Sequence, residues 1–140
     1  MTKHIIGWLN AMCAVVVVTG LVMAGGALPQ TEWGARLLLE WQNGGPLALD
    51  RAARVLTGVL GGVMCGWGVT LFAGFQAIEA VADARLRTRF WRIMLAGILV
   101  WFVVDSGLSI ATGFALNAVM NAAFMLAFCV PIVASGAIRP

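Results

Sequence analysis

The stretch of sequence that decides the fold is WFVVDSGLSIATGFALNAVMNAAF, residues 101–124. It joins two long apolar blocks through Thr112-Gly113-Phe114, and glycine suits a tight turn. A membrane-spanning helix needs about 20 mostly apolar residues, because the hydrocarbon core of a bilayer is about 30 Å thick. Each block is long enough to cross. The stretch therefore predicts a tight hairpin of two spans, over residues 92–112 and 115–134.

Two more apolar blocks lie upstream of this hairpin. No charged residue occurs between His4 and Glu32, or between Arg54 and Glu79. The first block follows a lysine, as the apolar core of a signal peptide does, but it is longer than a typical signal-peptide core. We therefore interpret it as a transmembrane helix. The two blocks predict spans over residues 5–27 and 54–79.

The composition agrees with a membrane location. Only 11% of the 140 residues are charged, whereas 61% are hydrophobic. A soluble domain usually carries about 25% charged residues, which cover its surface. This chain has too few for that purpose, so most of its surface must face lipid. The sequence predicts a single all-α domain, an integral membrane four-helix bundle whose surroundings are the lipid bilayer.

The segment between the first two spans, residues 28–50, has a different character. It contains two prolines and the mixed stretch TEWGARLLLEWQ, residues 31–42, with Thr31 as a candidate N-cap. This stretch predicts a short amphipathic helix between helices 1 and 2. One helical face carries Trp33, Leu37 and Trp41, and a neighbouring face carries Glu32, Arg36 and Glu40. Such a helix suits the headgroup layer of the membrane, and a cap over the mouth of the bundle is the equal alternative.

The distribution of basic residues predicts the orientation. Cytoplasmic loops of membrane proteins carry an excess of lysine and arginine. One side of the predicted topology carries six basic residues: Lys3, Arg85, Arg87, Arg89, Arg92 and Arg139. The other side carries three: Arg36, Arg51 and Arg54. We therefore expect both termini in the cytoplasm, with residues 28–50 on the opposite, extracytoplasmic side of the membrane.

The second span carries glycines at a spacing of four, namely Gly58, Gly62 and Gly66. Little hydrophobic force drives helices together in lipid, so close backbone approach across small residues provides much of the attraction. The stripe predicts a helix-packing face. Its expected partner is the first span at Gly20 and Ala24, and a seam between two copies of the chain is the alternative.

One polar cluster is predicted within the hairpin. It comprises Asp105, Ser106 and Ser109 on the third span and Asn117 and Asn121 on the fourth. Asp105 lies seven residues before Thr112, or about 10 Å below the end of its helix. A charge at such depth costs at least ~2.5 kcal/mol, so the carboxyl group needs partners. We expect hydrogen bonds from Ser109 and Asn121, or Arg54 as the counter-ion.

Asp105 admits two interpretations. It is the proton- or cation-binding group of a small transporter or channel, or it belongs to a polar clamp that fixes the register of the hairpin. Ionisable residues within a membrane are functional candidates by default. A transport path usually contains several ionisable groups, and this cluster has one. The clamp is therefore favoured.

The sequence lacks the common motifs of enzymes and cofactor sites. It has one histidine, no CxxC pair, no phosphate-binding GxxxxGK[ST] and no HExxH, so we expect neither a catalytic site nor a metal or cofactor. The three cysteines, Cys13, Cys65 and Cys129, lie in apolar blocks and predict no disulfide. No run of basic residues suggests nucleic acid as a partner. Deep tryptophans at positions 67 and 101 are expected to pack or face lipid rather than line a pigment or quinone pocket.

The stretch 101–124, with its Asp-Ser pair and its later Ser, Gly and Asn residues, resembles a block found in small uncharacterised four-helix bacterial inner-membrane proteins. The resemblance covers the last two helices and implies topology and origin, since those proteins carry no assigned activity. Together with the missing catalytic motifs, the packing faces predict a non-catalytic accessory subunit of a larger membrane complex. A respiratory or photosynthetic assembly is the expected host, and its other membrane subunits are the expected partners. The alternative is a small proton- or cation-coupled transporter that uses Asp105.

Overall fold

Five helices follow one another along the chain in the computed structural model, which describes residues 1–139. They are α1 (Lys3–Gly25), α2 (Trp33–Asn43), α3 (Arg51–Glu79), α4 (Ala84–Ala111) and α5 (Ala115–Ala134). All except α2 are long and apolar enough to span a membrane. The prediction of an all-α membrane protein with four spans, and a short helix between the first two, is confirmed.

Two helices begin earlier than the apolar blocks predict, because an aspartate caps each one. Asp50 Oδ1 accepts a hydrogen bond from the backbone N–H of Ala53 at 2.8 Å, so α3 begins at Arg51. Asp83 Oδ1 accepts from the backbone N–H of Leu86 at 3.0 Å, so α4 begins at Ala84. These bonds satisfy N–H groups that a helix start leaves unpaired. Consequently, the four arginines predicted in a loop lie on the first turns of α4.

The turn between α4 and α5 has the predicted position. Gly113 adopts a φ of 88°, a left-handed conformation that other residues rarely adopt. The backbone N–H of Phe114 donates to the carbonyl of Ser109 at 2.8 Å, which closes the end of α4. Two long spans separated by three residues therefore form an antiparallel hairpin.

The chain divides into two compact units. One comprises Met1–Met12 with Phe72–Pro140, of which Pro140 lies outside the described residues, and the other comprises Cys13–Leu71. We call them the hairpin unit, because it contains α4 and α5, and the glycine unit, because α1 and α3 meet there across glycines. Helices α1 and α3 each contribute a segment to both units.

Backbone contact between α1 and α3 organises the glycine unit. A Cβ atom on Gly20 would lie 2.8 Å from the backbone of Gly61, and a Cβ atom on Gly61 would overlap the backbone of Ala24. Both are closer than real Cβ contacts, so only glycine fits. The Cys65 thiol donates to the carbonyl of Val17 at 3.5 Å in the same contact. The predicted partner surface of α1, Gly20 with Ala24, is therefore confirmed.

The glycine stripe of α3 needs a correction. A Cβ on Gly58 would lie 2.9 Å from that of Ala27, as expected of a packing residue. For Gly62 and Gly66, no described atom lies within 4 Å of the corresponding position, so the prediction that they pack within this chain is wrong. The spacing explains the error, because every fourth residue drifts about 40° around a helix of 3.6 residues per turn. The packing positions of α3 are Gly58, Gly61, Cys65 and Gly68. Those of α1 are Cys13, Val17, Gly20 and Ala24, and Ala27 follows the helix.

Helix α2 belongs to the glycine unit and packs within it through a small residue. Ala35 is fully buried, and a Cβ on Gly26 would lie 2.9 Å from the Cβ of Ala35. Thr31 is not the predicted N-cap. Its hydroxyl instead donates to the carbonyl of Gly25 at 2.7 Å and closes the end of α1, while Glu32 occupies the N-cap position without a side-chain hydrogen bond.

An aromatic core holds the hairpin unit together. The rings of Phe75 and Trp91 stack with centroids 5.4 Å apart, and Phe128 lies 6.1 Å from Phe75. All three side chains are fully buried. A tryptophan near the end of a span is expected in the headgroup layer, but the burial of Trp91 shows that this expectation is wrong here. Its indole N–H donates to Glu79 at 3.1 Å, which allows the ring to be buried.

A hydrogen bond between the first and last helices compensates for a proline. Pro131 lies inside α5 and has no N–H to donate to the carbonyl of Ala127, four residues earlier. The indole N–H of Trp8 donates to that carbonyl at 2.9 Å. In a membrane, a backbone carbonyl released by proline must find another donor. Trp8 supplies it.

Gly61→Ala and Gly62→Ala form a matched pair of variants on one helix. We expect Gly61→Ala to cost roughly 1–3 kcal/mol of stability, because the new methyl group meets α1 backbone that has no room to yield. Gly62→Ala should stay within about 0.5 kcal/mol of the parent, as for an unpacked surface position. Reversible unfolding in detergent micelles measures both. Equal costs would contradict the described contact.

Trp8→Phe should cost about 1 kcal/mol of stability, because the carbonyl of Ala127 loses its donor. In a Pro131→Ala background the helix regains its own N–H at this point, so the same substitution should cost measurably less. The difference between the two costs is obtained from a double-mutant cycle of unfolding free energies. Identical costs in both backgrounds would show that Trp8 contributes by packing alone.

Candidate functional site

The polar cluster lies where α4 and α5 face each other near their turn. Trp101, Asp105 and Ser109 occupy successive turns on one face of α4. Asn117 and Asn121 occupy successive turns of α5. Because the two helices are antiparallel and separated by three residues, these faces meet within the hairpin unit. The structure thus brings together all five residues predicted for the cluster.

Three donors converge on the carboxyl group of Asp105. Its Oδ1 accepts from the Ser109 hydroxyl at 3.2 Å and from the Asn117 amide at 3.0 Å. Its Oδ2 accepts from the indole N–H of Trp101 at 3.2 Å. All three donors are neutral. The carboxyl group therefore finds hydrogen-bond partners in the membrane without a positively charged neighbour among them.

Further bonds link the two helices around this carboxyl group. The Asn117 amide also donates to the Ser109 hydroxyl at 2.8 Å. The single proton of that hydroxyl is shared between the backbone carbonyl of Asp105, at 2.7 Å, and its carboxyl group. One turn deeper, the amide of Asn121 donates to the Ser106 hydroxyl at 3.4 Å, and both side chains are buried. The cluster therefore ties α4 to α5 at two levels, with the shorter bonds nearer the turn.

One of the two hydrogen-bond donors predicted for Asp105 is correct. Ser109 is a partner, as expected, but Asn121 pairs with Ser106 instead. The carboxyl group of Asp105 lies at the level of Ser109 and Asn117, and the Asn117 amide donates to both. Asn121 is one turn too deep.

Arg54 is not the counter-ion of Asp105. It forms an ion pair with Glu32, and the paired atoms are buried within the glycine unit. The other carboxylate oxygen of Glu32, Oε1, lies 3.6 Å from Arg36 Nη1, and Arg36 Nε lies 3.7 Å from Glu40 Oε1. The four charged residues thus form a continuous series of ion pairs, which we call the charge ladder. It runs along α2 and ends at Arg54 on the first turn of α3.

Trp101 is the cluster member that sequence reasoning missed. A signal was present, because Trp101 precedes Asp105 by four residues and the indole of a deep tryptophan needs an acceptor. A second polar pair was also missed. Within the hairpin unit, the amide of Gln76 donates to the side-chain oxygen of Asn10 at 3.0 Å, which links α1 to α3.

Glu79 and Asp83, at the other end of the hairpin unit, have partners other than those that their spacing predicts. Glu79, Asp83 and Arg87 lie at intervals of four residues, a spacing that predicts ion pairs of both acidic residues with Arg87. Glu79 instead pairs with the N-terminal amine of Met1 at 2.7 Å, and Asp83 caps α4. Arg87 donates to the carbonyl of Val81 at 3.2 Å. The predicted ion pairs are therefore wrong.

The chemistry available to the cluster is limited. Asp105 is the one ionisable member, and the other members are hydroxyl, amide and indole groups. Within residues 1–139, no group of three His, Cys, Asp or Glu side chains is arranged to hold a metal ion. The cluster can bind a proton or a small cation at one carboxyl group, or it can act as a clamp.

Comparison of the chain with protein-family models, curated proteins and solved structures finds no match. The resemblance of residues 101–124 to small bacterial inner-membrane proteins therefore stays a prediction. What the cluster does has to follow from its geometry.

Asn117→Ala should destabilise the hairpin because Asp105 and Ser109 both lose a donor. Coupling between Asn117 and Asp105, measured in a double-mutant cycle with Asp105→Ala, is expected at about 0.6 kcal/mol and up to about 1.7 kcal/mol, as for other hydrogen bonds between membrane helices. Asn121→Ala is the matched control, since it contacts Ser106 and should show no coupling with Asp105. Stronger coupling of Asp105 to Asn121 would contradict the described pairing.

Proposed function

We propose that this protein is a non-catalytic accessory subunit of a larger complex in a bacterial inner membrane, with a respiratory or photosynthetic assembly as its host. The observation that carries the proposal is the outward face of α3, where Gly62 and Gly66 have no described neighbour. Two glycines four residues apart allow a second helix to approach closely in lipid. Other glycines of α3 are used inside the chain, whereas these two are open to a partner.

The hydrogen bonding of Asp105 supports a structural role for the polar cluster. Trp101, Ser109 and Asn117 all donate to its carboxyl group, and the same bonds hold α4 against α5. A transport path needs groups that bind and release an ion in succession. A single carboxyl group with three fixed donors is better suited to fixing the register of a hairpin.

The proposed orientation places both termini in the cytoplasm. It is supported by the arginines on the first turns of α4, which belong to the more basic side of the topology. A fluorescent protein fused after the last residue would then fold and fluoresce, and an alkaline phosphatase fusion at the same point would be inactive. The reverse pattern would overturn the orientation.

The accessory-subunit proposal predicts a large native assembly. Extracted from its own membrane in mild detergent, the protein should migrate with other, identifiable membrane proteins at a mass well above its own 14.8 kDa. A Gly62→Val/Gly66→Val double variant should lose these partners, because the added methyl groups keep a second helix away. Gly97→Val is the control, since Gly97 of α4 also has no described neighbour within 4 Å.

Either of two results would overturn the proposal. A monodisperse monomer in native extracts would remove the host complex. An assembly made of this chain alone, dispersed by the Gly62 and Gly66 substitutions, would replace the host with a second copy and identify these glycines as a homodimer seam.

A small proton- or cation-coupled transporter or channel is the second candidate. It is favoured by the position of Asp105, an ionisable group within a membrane span whose side chain is only half-buried. In reconstituted vesicles this candidate predicts a proton or cation flux that Asp105→Asn abolishes, while Asn121→Ala, which alters the cluster without touching the carboxyl group, retains it. No flux, or flux unchanged in Asp105→Asn, would exclude it.

A further inference from the structure

Helix α2 exposes a row of large apolar side chains. Trp33, Leu37 and Trp41 lie on successive turns of one face, and their exposed fractions are 73%, 64% and 50%. The predicted face is thus present and unpartnered within the described chain. Three such side chains in a row are poorly suited to water.

The other sides of α2 already have partners. Ala35 packs against Gly26 on one side. A second side carries Arg36 with its two glutamate neighbours, in the charge ladder described above. At about 100° per residue, the row of Trp33, Leu37 and Trp41 lies about 100° from the charged side and about 160° from the packed side. The helix is therefore three-sided, with one side on the protein, one charged and one apolar.

Contacts within the glycine unit fix the level of α2 in the membrane. Ala35 contacts Gly26, the residue that follows α1, and Glu32 pairs with Arg54 on the first turn of α3. Helices α1 and α3 are long and apolar enough to span the membrane, so the end of α1 and the beginning of α3 lie at the same membrane surface. Helix α2 is held at this same level, where lipid headgroups surround the protein.

We propose that α2 lies in the headgroup layer of the membrane surface at which α1 ends and α3 begins, with Trp33, Leu37 and Trp41 inserted among the lipids. A tryptophan ring is apolar with one polar N–H, and it prefers this layer. Apolar side chains of α1 and α3 in the same unit, such as Leu21 and Val55, are exposed as well, which also argues for lipid as the occupant. This inference is independent of the proposed function, because it concerns a different surface.

The charge of α2 also specifies the kind of lipid interaction. Residues 32–43 contain two glutamates and one arginine, so the segment has no excess of positive charge to attract anionic lipids. Its insertion should rest on apolar contact, and it should be the same in membranes of zwitterionic or mixed lipids. An amphipathic helix that relies on lysine and arginine would insert more deeply when anionic lipid is added.

The test uses the full chain in nanodiscs of phosphatidylcholine, with and without phosphatidylglycerol. Leu37→Cys and Arg36→Cys place a nitroxide spin label on the apolar and the charged side at neighbouring positions. The three native cysteines lie within α1, α3 and α5, so a water-soluble thiol reagent labels the introduced one, and the parent protein measures the background. Relaxation by oxygen, which concentrates in lipid, is compared with relaxation by a water-soluble nickel complex.

The expected result is that oxygen relaxes the label at position 37 more than the nickel complex does, and that this ratio is reversed at position 36. The ratio at position 37 should not change with phosphatidylglycerol content. Equal nickel access at both positions would overturn the proposal, because the apolar row would then face water. A label at position 37 shielded from both agents would also overturn it, in favour of a second copy of the chain.

A second measurement uses the native tryptophans and avoids cysteine substitution. Lipids brominated near the headgroup quench tryptophans in that layer. The parent protein should lose more fluorescence on these lipids than a Trp33→Phe/Trp41→Phe variant, whose remaining tryptophans lie in the spans. Equal fractional quenching of the two proteins would overturn the insertion of α2.

Discussion

Hydrocarbon offers no hydrogen-bond partner, and this constraint shapes the polar contacts within the spans. Each polar group within a span has to be satisfied by another group of the protein. Asp105 is satisfied by an indole, a hydroxyl and an amide, and the amide of Gln76 by that of Asn10. The carbonyl that Pro131 leaves without an N–H is satisfied by Trp8. These bonds join different helices in three of the five cases, so satisfying polar groups also fixes which helices meet.

The spacing of the small residues along a helix, and not only their number, decides which of them contact a neighbouring helix. Positions 58, 61, 65 and 68 of α3 are separated by three, four and three residues, and positions 13, 17, 20 and 24 of α1 by four, three and four. A repeat that averages 3.5 residues keeps one side of a helix against its neighbour along its length, as in a left-handed coiled coil. Residues repeated every four positions drift around the helix and face away from that neighbour. The same helix thus presents one row of small residues to α1 and leaves another facing outward.

The sequence predicts the spans well because their signal is thermodynamic and local. A long uncharged block is stable within the hydrocarbon core of the membrane, and the charged residues at its two ends mark where the span begins and ends. The helix starts were less predictable, since Asp50 and Asp83 extend α3 and α4 beyond the apolar residues. In the polar cluster, residue types and helix faces identified five of the six members and missed Trp101. The pairing itself depends on the direction of each side chain, which spacing alone does not contain.

The bond between Trp8 and Ala127 joins residues 119 positions apart in the chain. During synthesis, Trp8 enters the membrane long before its acceptor exists. At about 5–20 residues per second, the indole N–H waits roughly 6–24 s. The first helix therefore spends that time with a donor exposed to lipid or to the insertion machinery. The carbonyl of Ala127 meets this donor once α5 packs against α1, so an earlier-made and a later-made helix satisfy each other's polar groups.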